Sequence, residues 1–220
     1  MANVPRFQGL QEHGKSLDAG VVYAGQSLHA DLTGPMGPVG IGGVKYVFVV
    51  ADAWTRYVFA FPCKTEKDVP TLLIYLLERI RVHVTSPRGR VIKSLHTDNG
   101  SEFTNKKVTH YLQRRTIFHI RSAPGVHGSN GLVERHIRAI FEKVRTMLIP
   151  SGLPIFLWPE AVKHAAHLRN IVPHESIERN GKTRILKAVR KKVLNDESPD
   201  DSLSLPGTPP PAREPKRPSI

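Results

Sequence analysis

Cysteine is nearly absent from this 220-residue chain: Cys63 stands alone. One thiol cannot build an internal disulfide framework, which points to a reducing compartment. Nor can it supply the closely spaced thiolates of a cysteine-based zinc module. Cys63 ends an apolar run and reads as a buried structural thiol. Long hydrophobic runs are missing too; the longest, around 46–51 and 72–77, fall far short of a membrane span. The first twenty residues mix Arg6, Glu12, Lys15 and Asp18 with few apolar positions, so no secretion signal is visible. Negative charge is scarce: 19 Asp and Glu against 32 Lys and Arg leave a net +13 at pH 7. Self-repulsion of that size is best tolerated beside a polyanion, which implies nucleic acid ahead of an anionic membrane surface. Charge alone predicts phosphate binding without sequence specificity.

What is present suits one packed domain with tails: 40% of residues are hydrophobic and 23% charged. Residues 1–25 show little periodicity and read as an irregular lead-in, followed by a core over 26–175. A short strand at 27–32 leads into a turn-rich Gly-Pro segment, then two β-rich runs at 45–52 and 57–62 form a hairpin. Thr65 with Asp68 three residues on opens a helix whose Leu72, Leu73, Leu76, Leu77 and Ile80 fall at helical spacing. Strands follow at 91–95 and 117–120, with a helix over 105–114 between them. The stripe Val133, Ile137, Ile140, Val144 and Leu148 predicts a long amphipathic helix over 130–148, and another helix spans 156–171. This order is that of an α/β fold with a five-stranded mixed sheet flanked by helices. An RNase H-like sheet has it, and other α/β folds share it. Residues 176–195 form a basic stretch: from 179 to 195 there are seven Lys or Arg, no acid, and apolar residues every fourth position. From 196 to 220 seven prolines and few apolar residues read as a disordered tail.

Phosphodiester chemistry without a covalent intermediate needs an activated attacking oxygen and a stabilised leaving oxygen. Divalent ions held by a few convergent carboxylates supply both. Asp31 in the first strand, Asp98 directly after the fourth, and Glu134 at the start of the long helix suit such a site. Each has a plainer reading as well. Asp31 and Asp98 sit in turn-forming contexts, and Glu134 favours a helix start or pairs with Arg138.

The motifs around these acids decide between the readings. The chain reads Asp98-Asn99-Gly100-Ser101-Glu102-Phe103, then Asn130-Gly131-Leu132-Val133-Glu134-Arg135, with 35 residues between Asp98 and Glu134. Further blocks are Tyr46-Val47-Phe48-Val49-Val50-Ala51-Asp52 with Thr55-Arg56-Tyr57, and Arg145-Thr146-Met147-Leu148 with Leu153-Pro154. The last is Leu157-Trp158-Pro159-Glu160-Ala161. Over about 28–173 the chain resembles the integrase catalytic cores of copia-type LTR retrotransposons, within the retroviral integrase superfamily.

The resemblance implies an RNase H-like fold and a role in DNA integration. Its reactions would be metal-dependent trimming of DNA 3′ ends and strand transfer by transesterification. It implies Asp31, Asp98 and Glu134 as catalytic metal ligands, with Mg2+ or Mn2+ and two ions when DNA is bound. Expected partners are the element's DNA ends and target DNA, with RNA a further option, no membrane, and a homo-oligomer when active. The nucleus is the expected location. For nucleic acid, Asn130, Arg135 and Arg138 are the expected contacts by the resemblance, although a solvated helix face reads equally well for Arg138. Lys187, Arg190, Lys191 and Lys192 are expected phosphate contacts from the basic stretch. Glu102 reads equally well as a helix-start acid or a catalytic one and is not counted among the ligands, and His164 and His167 read as ordinary helical histidines. The resemblance also implies an N-terminal His/Cys zinc domain in a whole integrase; the first 25 residues hold one His and no Cys. A DNA- or RNA-binding remnant without catalysis, and a structure-specific nuclease, are the competing readings.

Overall fold

A computed structural model describes residues 20–85, 89–122 and 130–171. Five strands form one mixed sheet: β1 (Ser27–Thr33), β2 (Tyr46–Asp52), β3 (Val58–Cys63), β4 (Ser94–Thr97) and β5 (Phe118–Arg121), in the order β3-β2-β1-β4-β5. β1, β2 and β3 are antiparallel neighbours, while β4 runs parallel to β1 and β5 parallel to β4. The helices are α1 (Val69–Ile80), α2 (Ser101–Thr104), α3 (Lys106–Arg114), α4 (Gly131–Ser151) and α5 (Trp158–Ile171). Among the described residues no helix is long and apolar enough to cross a membrane.

β2 reads as an unbroken apolar run because both its faces are covered. Phe48 and Val50 pack with Leu73 and Leu77 of α1, Phe103 of α2 and Val108 and Leu112 of α3. Val47, Val49 and Ala51 pack on the other face with Val133, Ile140 and Val144 of α4 and Val162 and Ala165 of α5. Each such fully buried aliphatic side chain contributes about 1.5–3 kcal/mol. Cys63 is buried in the first of these clusters, and burial pushes its thiol up to about 11.

Several boundaries move from their expected positions for identifiable reasons. The fourth strand was expected over 91–95 but begins at Ser94, because Val91 is 59% exposed and the ladder with β1 starts at Ser27 opposite Ser94. It continues through His96, whose ring stacks on His29 of β1 at 4.2 Å. The long helix runs past Leu148 to Ser151. Pro150 sits in its last turn, and Gly152, left-handed at φ 65°, ends it. The expected cap at Thr65 is present as a reciprocal capping box, on a 3-10 turn (Glu66–Asp68) that feeds α1. Within the 1–25 lead-in, Tyr23 and Ala24 are buried, Tyr23 Oη donates to Val91 O at 2.9 Å, and Gly25 N–H donates to Asp52 at 2.9 Å. Packing therefore begins about three residues earlier than expected. The expected basic stretch and Pro-rich tail lie outside the described residues.

Candidate active site

β1 carries Asp31 in the middle of the sheet, opposite Val49 of β2, with its Leu32 N–H donating to Asp31 Oδ1 at 2.9 Å. Its neighbour β4 ends at Thr97, so Asp98 emerges beside it, exposed. Asp98 makes the expected turn, accepting from Gly100 N–H at 3.0 Å. The Thr97 hydroxyl donates to Asp98 O at 2.7 Å, so the proton on His119 Nε2 points at Thr97 Oγ1, 2.9 Å away. Burial, then Arg121, lower the pKa of His119, which keeps that ring neutral. Glu134 stands in the first turn of α4, exposed.

Asn130 fixes where that helix starts. Its Nδ2 donates to Ala30 O at 3.1 Å, one residue from Asp31, and its own carbonyl accepts from Glu134 N–H at 3.3 Å. Asn130 is only 5% exposed, and its Oδ1 is buried without a hydrogen-bond partner. In this structure the Asn130 side chain faces the protein and ties α4 to β1. The chain's Asn-Gly pair could not reveal this, because burial depends on how α4 crosses the sheet.

The three acids share one electrostatic field. Burial raises Asp31 most, to about 7; Asp98, Glu134 and Glu102 add to the rise, and the Leu32 N–H opposes it. Glu102 is itself raised, first by burial, with its own backbone N–H opposing and Asp98 and Glu66 adding. Its carboxyl lies over Gly100, where a Cβ would meet Oε2 at 2.5 Å. Glu102 thus joins the field as a fourth carboxylate, and its place in the Asp-Asn-Gly-x-Glu-Phe block was the signal for it. The donors are all hard oxygens, which suit a magnesium-like cation. Among the described residues, however, no three His, Cys, Asp or Glu side chains are gathered closely enough to hold an ion. The carboxylates feel one another but are not closed.

Of the other expected residues, Arg135 and Arg138 are exposed on α4 beside Glu134. His164 and His167 are exposed on α5. Lys187, Arg190, Lys191 and Lys192, and the 125–129 part of the loop before α4, lie outside the described residues. Asp52 is a structural acid. Buried, it accepts from Gly25 N–H, Thr55 N–H and the Thr55 hydroxyl at 2.6–2.9 Å, and burial outweighs those bonds to raise its pKa.

The sheet order, the helices on both faces and the acids at neighbouring strand ends define an RNase H-like α/β fold. A chain of the simian T-cell lymphotropic virus intasome in complex with PP2A regulatory subunit B56 gamma shares that fold. Its TM-score is 0.53 at 21% identity, over 69% of this chain and 50% of that one. Residues 23–127 match the family described as Integrase core domain. A retrovirus-related Pol polyprotein from transposon TNT 1-94 of Nicotiana tabacum is 34% identical over 146 residues, 66% of this chain. The chain spans 11% of that polyprotein's length. This chain therefore carries an integrase catalytic core of the copia type. Cores of that family are polynucleotidyl transferases acting in DNA integration, and are in general dependent on divalent metal.

Proposed function

We propose that this core acts on DNA phosphodiesters, trimming 3′ ends and joining them to target DNA, with Mg2+ or Mn2+ held by Asp31, Asp98 and Glu134. One observation carries the reading: Asp31, half-buried on the central strand, stands in the field of Asp98 and Glu134, and burial first, with those charges adding, pushes it up to about 7. Carboxylates from three separate elements that repel one another in this way would be relieved by a cation among them. When bound, the ions would activate the attacking oxygen, water in trimming and a DNA hydroxyl in joining, and offset charge on the leaving oxygen.

The chain's own residues supply the positioning. Asp31 sits on a central strand and cannot wander. Asp98 is held by Gly100 N–H and by the Thr97–His119 link behind it. Glu134 depends on Asn130, which anchors its helix to Ala30. Arg135 and Arg138 are offered to phosphate, with Lys187, Arg190, Lys191 and Lys192 as further contacts. DNA ends and target DNA are the proposed partners, with assembly of several copies and action in the nucleus.

A second reading, a nucleic-acid-binding core without catalysis, needs only the net charge of +13 and the exposed Arg135 and Arg138. A magnesium-dependent joining assay on the full chain beside Glu134→Gln separates the two. Joining by wild type and none by the variant supports catalysis. Equal DNA retention with joining by neither supports the second reading. Cleavage without joining would point to a nuclease. Independently, Mn2+ should raise the thermal midpoint of the wild type more than that of Asp31→Asn, since a ligand bound only by the folded state stabilises it.

A further inference from the structure

We infer that the outer face of α3 and the edge strand β5 form a second phosphate-binding track, which receives the flank of a DNA duplex whose end lies at the carboxylates. The inference rests on the DNA-joining reading for the identity of the polyanion. Between Glu102 and Glu134 the chain has no acid, yet it carries Lys106, Lys107, Arg114, Arg115 and Arg121. All five are exposed, as is His110. Lys107 is engaged with the Thr71 hydroxyl at 3.0 Å, and Arg115 with Glu78 at 2.7 Å. Among the described residues, Lys106, Arg114 and Arg121 form no ion pair.

A basic helix is usually a solvated surface, and three features argue otherwise. Solvated faces interleave both signs, whereas this one carries a single sign over its whole length. Lys106 and Lys107 occupy the first turn of α3 with no acid there, where the helix dipole disfavours cations. That breaks a local stability rule, and such breaks concentrate where function needs them. The third feature is position. Arg121 pairs in register with Thr97, so it lies one strand away, about 4.8 Å, from the residue preceding Asp98.

The line continues away from the site. The chain reverses after α3, with Ile117 N–H donating to Leu112 O at 2.9 Å, so α3 runs back alongside β5. Lys106 therefore lies toward the Asp98 end and Arg114 toward the far end, about 12 Å along the helix. Duplex DNA carries one charge per roughly 1.7 Å of axis, so a track of that length faces several phosphates. Between α3 and β5 a cleft of about 310 Å³ exposes the polar side chains of Thr109, Gln113 and Arg121 to the same groove.

The test is duplex binding by the full chain, followed by fluorescence anisotropy over a salt series with a DNA of arbitrary sequence. Lys106→Gln, Arg114→Gln and Arg121→Gln combined should lower the slope of log affinity on log salt by about 2–3, and Arg121→Gln alone by about 1. A control with the same charge loss, Arg90→Gln, Lys93→Gln and Lys163→Gln combined, should change it by less than about 1. Thermal midpoints near wild type verify that each variant is folded. An unchanged slope, or an equal fall in the control, overturns the track. So does a loss confined to single-stranded DNA or RNA, which would make the exposed Phe118 ring a base-stacking platform instead. Joining with an unchanged slope sinks the track alone. A fall in slope with no joining leaves the track standing and sinks the catalytic reading.

Discussion

At the β3 edge of the sheet, α5 closes the backbone: Asn170 accepts from Val58 N–H at 2.8 Å and donates to Val58 O at 2.7 Å. At the β5 edge nothing comparable is seen among the described residues, and Phe118 and Ile120 are 69% and 38% exposed. An open strand edge is an aggregation hazard that proteins usually cover or charge. Here one edge is covered and the other is charged, by Arg121 and the basic face of α3. The covered edge lies where α5 and β2 need packing. The charged edge adjoins Asp98. Stability is concentrated on the first side and the capacity to meet a polyanion on the second.

The largest expected effect falls on the closed side. Asp52 ends β2 and receives Gly25 N–H, Thr55 N–H and the Thr55 hydroxyl inside the core. Asp52→Ala would strand these buried donors, and a loss of about 3–4 kcal/mol is expected in urea unfolding. Next comes Asn170→Ala, which reopens the β3 edge and leaves two backbone groups of the buried Val58 without partners. About 2 kcal/mol is expected by the same measurement with an unchanged m-value. A loss below 0.5 kcal/mol for Asn170→Ala would break the comparison, because the edge would then not depend on its cover.

Much of this arrangement was legible in the residues. Helix faces were readable because Val133, Ile140, Val144 and Leu148 repeat with the helical period, and the acids stand in motifs whose spacing a single chain displays. Features set by pairing between distant segments were not. The His29–His96 stack carries β4 through two polar residues, so the apolar run before it misled. Asn170 looks like any polar residue near a helix end until β3 lies beneath it. The bond from Asn130 to Ala30 exists only once α4 crosses β1. Each depends on tertiary geometry that no local pattern encodes.

A smaller effect is expected where α1 meets α3. Burial pushes Glu78 up, but hydrogen bonds from Arg81, Tyr111 and Arg115 together hold its carboxyl below the usual range. A lowered folded value means that its contribution is present above the ordinary carboxylate range and lost as pH falls through the lowered one. Glu78→Gln should therefore lower stability at pH 7 by about 1 kcal/mol, as for a partly exposed ion-pair network, with the gap to wild type closing in acid. A constant gap between pH 7 and pH 3 would remove the charge from the explanation. The same variant frees Arg115 on the basic face, so duplex binding should strengthen slightly, sharpening the contrast between the two edges.

The smallest effect is the most discriminating. Phe118→Ser removes a large aromatic side chain from a strand, a change that costs about 3–5 kcal/mol where the ring is buried. On the open edge the ring already faces water, so a change within about 0.5 kcal/mol is expected. Phe59→Ser on β3, whose ring packs against the α1 side of the core, should cost several times more. Thermal or urea unfolding of the pair measures the difference directly. Equal losses would mean that β5 is held by the same packing as β3, and that its exposed aromatic and cationic residues belong to the fold rather than to a partner.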